Sequence, residues 1–123
     1  MYLTTNFKLS EFACKDGSEV PSELIPNVQR LATNLQIIRD YIHCPITVLS
    51  GYRSPSHNKR VGGAKNSQHL KAKASDLRAS KYSPKELYDI IEDLIEKGAI
   101  SQGGLGLYKT FVHYDIRGTK ARW

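Results

Sequence analysis

These 123 residues read as an α+β protein, a single compact domain in which helices flank a small, mainly antiparallel sheet. Three observations carry this reading. The length suits one domain and leaves no room for a second, so residues 1–123 are taken as one unit. Two segments carry apolar residues at helical spacing, with a short β-branched run between them. The last two extended runs are joined by a tight turn, and a connection that short pairs strands antiparallel, against a doubly wound parallel sheet.

Taken in order, residues 7–14 form a short helical or extended opening that turns Phe7, Leu9 and Phe12 inward. Pro26 then precedes Val28, Leu31, Leu35, Ile38 and Ile42, an apolar stripe every three or four residues that predicts an amphipathic helix. Cys44-Pro45 ends it, because the residue before a proline is pushed out of helical conformation. Ile46–Leu49 is β-branched and bounded by Pro45 and Ser50-Gly51, so it predicts a strand. Residues 51–68 are rich in Gly, Ser, Pro and Asn and are expected to be a long ordered loop, a kind of segment that usually carries function. Ser83-Pro84-Lys85-Glu86 combines an N-cap, a proline at N1 and a glutamate at N3. The helix it opens turns Leu87, Ile90, Ile91, Leu94 and Ile95 inward and stops at Lys97-Gly98. Residues 103–108 and 111–116 predict the closing hairpin, turning at Lys109-Thr110.

Hydrophobic residues at 40% and charged residues at 24% exclude a disordered tail, a collagen-like chain and a membrane protein. No apolar run reaches the ~18 residues of a membrane span. The opening Met1–Lys8 has neither a basic nor an apolar signal region, so synthesis in the cytoplasm is expected. Cys14 and Cys44 are expected to be buried free thiols. The net charge is +6, and all of the excess lies in one place. From Tyr41 to Ser75 there is no Asp or Glu, while Arg53, Lys59, Arg60, Lys65, Lys71 and Lys73 supply six positive charges. Such a stretch is either a solvated basic loop or a field that draws anions. Nucleic acid is a poor match, because only Tyr41 and Tyr52 could stack on bases and no helix-turn-helix or zinc-finger spacing occurs.

Four histidines are available for chemistry. His43 sits at a helix end, where capping or simple exposure is expected, and His57 lies in what reads as a turn. His69 and Asp76 are seven residues apart. On a helix that puts them about 10 Å apart, and on a straight strand about 23 Å apart on opposite faces, so shared chemistry requires the chain to bend back between them. His113 and Asp115 alternate onto one face of the closing strand. Two His and one Asp give either a three-ligand zinc site with a fourth position open to water, or a hydrogen-bonded core. Other chemistries find no frame. Gly103–Gly106 is followed by no helix pattern, Cys14 has no local base, and neither Ser50 nor Ser67 sits in a nucleophile elbow.

Ser50-Gly-Tyr-Arg-Ser54, Asn58, Val61-Gly-Gly63, Ser67-Gln-His69 through Ala74-Ser-Asp76, Phe111-Val-His-Tyr-Asp115 and Ala121-Arg-Trp123 occur in an order and spacing that resembles the M15 zinc D-alanyl-D-alanine peptidases. The similarity is to the branch often found in phages and prophages, and it runs from about Phe7 to Trp123. It implies the compact hedgehog/D,D-peptidase fold and a zinc ion held by His69, Asp76 and His113. It further implies that Arg53 reaches a substrate carboxylate or the transition-state oxyanion, and that Ser67 supports the site by hydrogen bonding. Many relatives place an acidic general base three residues before the last His ligand, where this chain has Thr110. Asp115, on the face of His113, is the candidate for that role, the alternative being that it only orients a metal ligand from behind.

The expected activity is zinc-dependent hydrolysis of peptidoglycan stem peptides, as a D,D-carboxypeptidase or an endopeptidase of endolysin type. A different class of function competes with it: a peptidoglycan-binding or virion-structural module that keeps the fold without catalysis, which Thr110 favours. A monomer is the default expectation, and lysis, a holin or delivery in a virion would bring the chain to the wall.

Overall fold

The computed structural model describes residues 1–123. The exposed surface is 6550 Å², close to the ~6,600 Å² expected of a folded chain of this mass. Three helices, α1 (Ile25–Ile42), α2 (Pro55–Arg60) and α3 (Pro84–Glu96), accompany five strands. The strands are β1 (Ile46–Ser50), β2 (Ala74–Ala79), β3 (Gly104–Leu107), β4 (Val112–Asp115) and β5 (Ala121–Arg122). They form one sheet in the order β1-β2-β4-β3-β5, antiparallel throughout except that β5 runs parallel to β3. This is the expected α+β arrangement. No helix is long and apolar enough to cross a membrane.

The amphipathic stripes do what their spacing predicts. Val28, Leu31, Leu35 and Ile38 of α1 are fully buried, as are Leu87 and Ile91 of α3, and each such side chain contributes about 1.5–3 kcal/mol by leaving water. Helix α1 ends at His43, whose backbone takes the left-handed conformation (φ 54°) and donates its N–H to the Arg39 carbonyl, while its side chain stays exposed. The capping box of α3 is complete: Glu86 N–H donates to Ser83 Oγ (3.2 Å) and Ser83 N–H donates to Glu86 Oε1 (2.9 Å). Phe7 and Phe12 enter the core around a 3₁₀ turn at Leu9–Phe12, and Leu9 packs against it. Both cysteines are buried and free.

Three elements differ from the sequence reading. Residues 51–68 are not one long loop, because α2 occupies Pro55–Arg60 and Ser54 caps it through a bond from His57 N–H (3.2 Å). Strand β2 lies inside the sheet, between β1 and β4, and buries five of its six residues, so no alternation announces it. Strand β5 is only two residues long.

The register sets up the site. Across the sheet, Ser50 pairs with Asp76, Asp76 with His113, and His113 with Gly106. Paired residues share a face, so these four form one transverse row. The next row, Val48, Leu77 and Val112, points the other way and is buried in the core.

Candidate active site

Asp76 and His113 are neighbours by register, and His69 joins them because the chain turns back after it. His69 sits on a 3₁₀ turn (Gln68–Lys71) capped by Ser67, whose Oγ accepts His69 N–H at 3.2 Å. Ala72 then takes the left-handed conformation (φ 56°), which reverses the chain into β2. This is the bend that a seven-residue separation demanded. The two imidazole rings meet edge to face, 5.3 Å between centroids.

Each imidazole has one nitrogen fixed by an acceptor behind it. His69 Nδ1 lies 2.7 Å from the Gly51 carbonyl, and His113 Nε2 lies 2.7 Å from Asp115 Oδ2. A carbonyl and a carboxylate can only accept, so these two nitrogens carry hydrogens. The remaining nitrogens, His69 Nε2 and His113 Nδ1, both face Asp76 Oδ1, at 3.4 and 3.2 Å. Three acceptor atoms thus converge, and a proton or a metal cation must lie among them. Bonds of about 2.0–2.1 Å to a tetrahedral zinc would separate neighbouring ligand atoms by about 3.3 Å. The two measured gaps match that edge, and all three ligand atoms lie within 4.8 Å of one another. The residues therefore fit a zinc ion.

Burial opposes charge on both partners of the pair Asp76–His113, yet their contacts prevail. With a proton and no cation among these atoms, burial pushes the Asp76 carboxyl up, but hydrogen bonds from His113 and His69 outweigh it and hold it well below the usual carboxylate range. Burial likewise lowers His113, and its bonds to Asp115 and Asp76 raise it above an ordinary imidazole.

Arg53 follows β1 and lines the same cavity, its side chain 18% exposed. Its guanidinium is held at three points: Nε by Ser50 Oγ (3.3 Å), one terminal nitrogen by Asn58 Oδ1 (3.3 Å), the other by Asp76 Oδ2 (3.4 Å). Ser67 also lines the cavity, which measures about 550 Å³.

Asp115 shares a face with His113, as alternation predicts, but lies wholly behind it. Its exposure is 0%; Oδ1 accepts from Gly104 N–H (2.9 Å) and Arg117 N–H (3.1 Å), and Arg117 grips both oxygens (2.9 and 2.7 Å). Burial again raises the carboxyl, and the bonds from His113 and Arg117 bring it well below its usual range. A Cβ on Gly104 would collide with this carboxylate, so the glycine makes the close packing possible. Thr110 is exposed in the hairpin turn and does not line the cavity. Asp76 is the single acidic residue that does.

The aromatic rim of the cavity has no role that residue spacing reveals. Trp123 lies 4.9 Å from the His113 ring, donates Nε1–H to Tyr108 Oη (2.8 Å), and is flanked by Arg117 at 5.6 Å. Tyr108 stacks on Phe111 at 4.5 Å. The available signal was Gly106, directly beside His113: a Cβ there would meet the indole of Trp123, the chain's sole tryptophan.

Two comparisons bear on this geometry. A family model described as Peptidase M15 matches residues 5–115. The chain is also 34% identical over 97 residues to a Haemophilus influenzae protein called "Probable peptidoglycan L,D-endopeptidase MepK". That alignment covers 73% of this chain and 49% of the relative, so the chain spans about half the length of the protein it resembles.

Proposed function

The chain belongs to the M15 peptidase family, and on that premise we propose that it hydrolyses peptide bonds in bacterial peptidoglycan stem peptides with a zinc ion held by His69, Asp76 and His113. One observation carries the reading: three acceptor atoms converge at the floor of a cavity that Arg53 lines. When bound, a zinc ion supplies Lewis acidity that activates water and polarises the scissile carbonyl.

The protein's own groups do the rest. Gly51 and Asp115 fix the ring orientation of His69 and His113 and leave the correct nitrogen free. Arg53, already positioned by Ser50 and Asn58, binds the negative charge that the reaction presents, either a stem carboxylate or the developing oxyanion. Ser67 keeps the His69 turn closed. Asp115 we assign to orientation of His113 rather than to proton transfer, because it has no exposed surface from which to reach a water in the cavity. The name of the Haemophilus influenzae relative favours an internal cut over removal of a terminal residue.

A second reading, a wall-binding module without turnover, is favoured by one feature: apart from Asp76 no acid lines the cavity to act as general base. A digest separates the two. Zinc-loaded protein is incubated with purified peptidoglycan and soluble muropeptides, and the products are read by mass spectrometry beside a His113→Ala control. Separation of cross-linked stems, or release of a longer fragment, is the expected product, and loss of a terminal D-alanine would make the chain a carboxypeptidase. A zinc-loaded wild type that binds wall and cuts nothing would establish the module, and full activity in His113→Ala would remove the metal assignment.

A further inference from the structure

We propose a second transition-metal site, independent of the first, formed by Cys14, Asp16 and His57. These residues come from two distant parts of the chain: Cys14 and Asp16 follow the first 3₁₀ turn, and His57 lies in the first turn of α2. One ligand atom from each lies within 4.8 Å of the other two. Sulfur, imidazole and carboxylate together suit a borderline ion such as zinc and disfavour calcium or magnesium, which take oxygen ligands.

The cluster is built around Ser54. Its hydroxyl donates to Asp16 Oδ2 (2.6 Å) and accepts His57 N–H (3.2 Å), and its own N–H donates to Cys14 Sγ (3.4 Å). One residue thus ties together the Asp16 carboxylate, the Cys14 sulfur and the backbone of His57, and the N–H donated to sulfur stabilises a thiolate as outer-sphere donors do at metal sites. The turn beneath is also closed: Cys14 N–H donates to the Ser18 carbonyl (2.9 Å) and Ser18 N–H to Asp16 Oδ1 (2.8 Å). Cys14 is buried and the Asp16 side chain is 13% exposed. The Arg60 guanidinium, 3.8 Å from Asp16 and 65% exposed, can swing into solvent when a cation arrives. Binding would release the Cys14 thiol proton to solvent and take His57 as the neutral ring, so one Zn²⁺ balances one thiolate and one carboxylate.

The placement gives such an ion a purpose. Ser54 directly follows Arg53, and α2 leads into the segment Val61–Ala64 that lines the substrate cavity. A metal at Cys14, Asp16 and His57 would fasten this wall of the cavity to the N-terminal segment.

Cobalt substitution tests the proposal without reference to activity. The site at His69, Asp76 and His113 has no sulfur, so a sulfur-to-cobalt charge-transfer band in the near ultraviolet reports on a cysteine, and its loss in Cys14→Ser assigns it to Cys14 and not to Cys44. The expected result is two Co²⁺ per reduced chain with that band. Cys14→Ser should lose the band and one equivalent, and the more exposed His57→Asn should weaken cobalt binding and shift the band if Cys14→Ser fails to fold. His113→Ala should lose one equivalent and keep the band, which separates this site from the proposed catalytic one. A reduced wild type with no charge-transfer band, or a band unchanged in both Cys14→Ser and His57→Asn, overturns the proposal and leaves a simple thiol–carboxylate contact.

Discussion

Asp115 can be tested against its two possible roles by one atom's change. As a general base it would act on water and leave metal affinity alone. As the partner of His113 Nε2–H it would set the ring and its basicity, and outer-sphere partners of this kind are worth about 10–100-fold in metal affinity. Asp115→Asn should therefore weaken zinc binding by about that factor, measured against a competing chelator, and activity lost at low zinc should return at saturating zinc. Unchanged affinity with abolished turnover would make Asp115 the base after all. The same residues mark how far the site was readable from sequence. His69 and His113 stand out among four histidines because each has an Asp close by, alternation gives the shared face of His113 and Asp115, and the ligand set His69, Asp76 and His113 comes from the resemblance to the M15 peptidases. Their convergence was not readable from spacing, because it rests on a left-handed alanine, Ala72, and on a strand register that sequence does not display.

Elements were legible where burial is one-sided and illegible where it is not. Helices α1 and α3 have a buried stripe and a wet face, so periodicity and caps found them. Strand β2 is covered on both faces and α2 is six mostly polar residues, so neither shows a period. Strand β5 is two residues long and is held by a side chain: Arg122 grips Glu92 of α3 with two bonds (2.6 and 2.8 Å) and reaches the Gly103 carbonyl (2.6 Å). That grip keeps the neighbouring Trp123 over Gly106. The Arg122 hydrogen bond holds Glu92 below its ordinary value of 4.5. A depressed carboxyl contributes stability above its unfolded pKa and loses it as pH falls through the folded one. Glu92→Gln should thus cost about 1 kcal/mol near pH 7, limited by solvent screening of a partly exposed pair. In urea melts the gap between variant and wild type should close as the pH is taken below 4.5. A gap of constant size at every pH would assign the cost to packing and not to the charge.

At the scale of the whole molecule the question is what the uneven charge does. Within the acid-free stretch Tyr41–Ser75, residues between Arg53 and His69 form one wall of the cavity and contribute Arg53, Ser67 and His69, while Lys59, Arg60, Lys65 and Lys71 of the same stretch remain exposed. Exposed lysines are mobile and well hydrated, so they add little to any single contact. Their sum acts at longer range, and a polymer carrying many anionic groups feels it more than a short peptide does. Salt separates these ranges, because the Debye length shrinks from about 10 Å at 0.1 M to about 3 Å at 1 M, while a desolvated contact at Arg53 is screened much less. Raising salt should therefore increase KM on intact, anionic wall several-fold, with a smaller change on a soluble stem peptide and little change in kcat on either. Replacing Lys59 and Lys65 together by Gln should flatten the salt response on wall and leave the soluble substrate as it was. Equal salt sensitivity on both substrates would mean that the basic stretch is only a solvated face, and that the attraction resides at Arg53 inside the cavity.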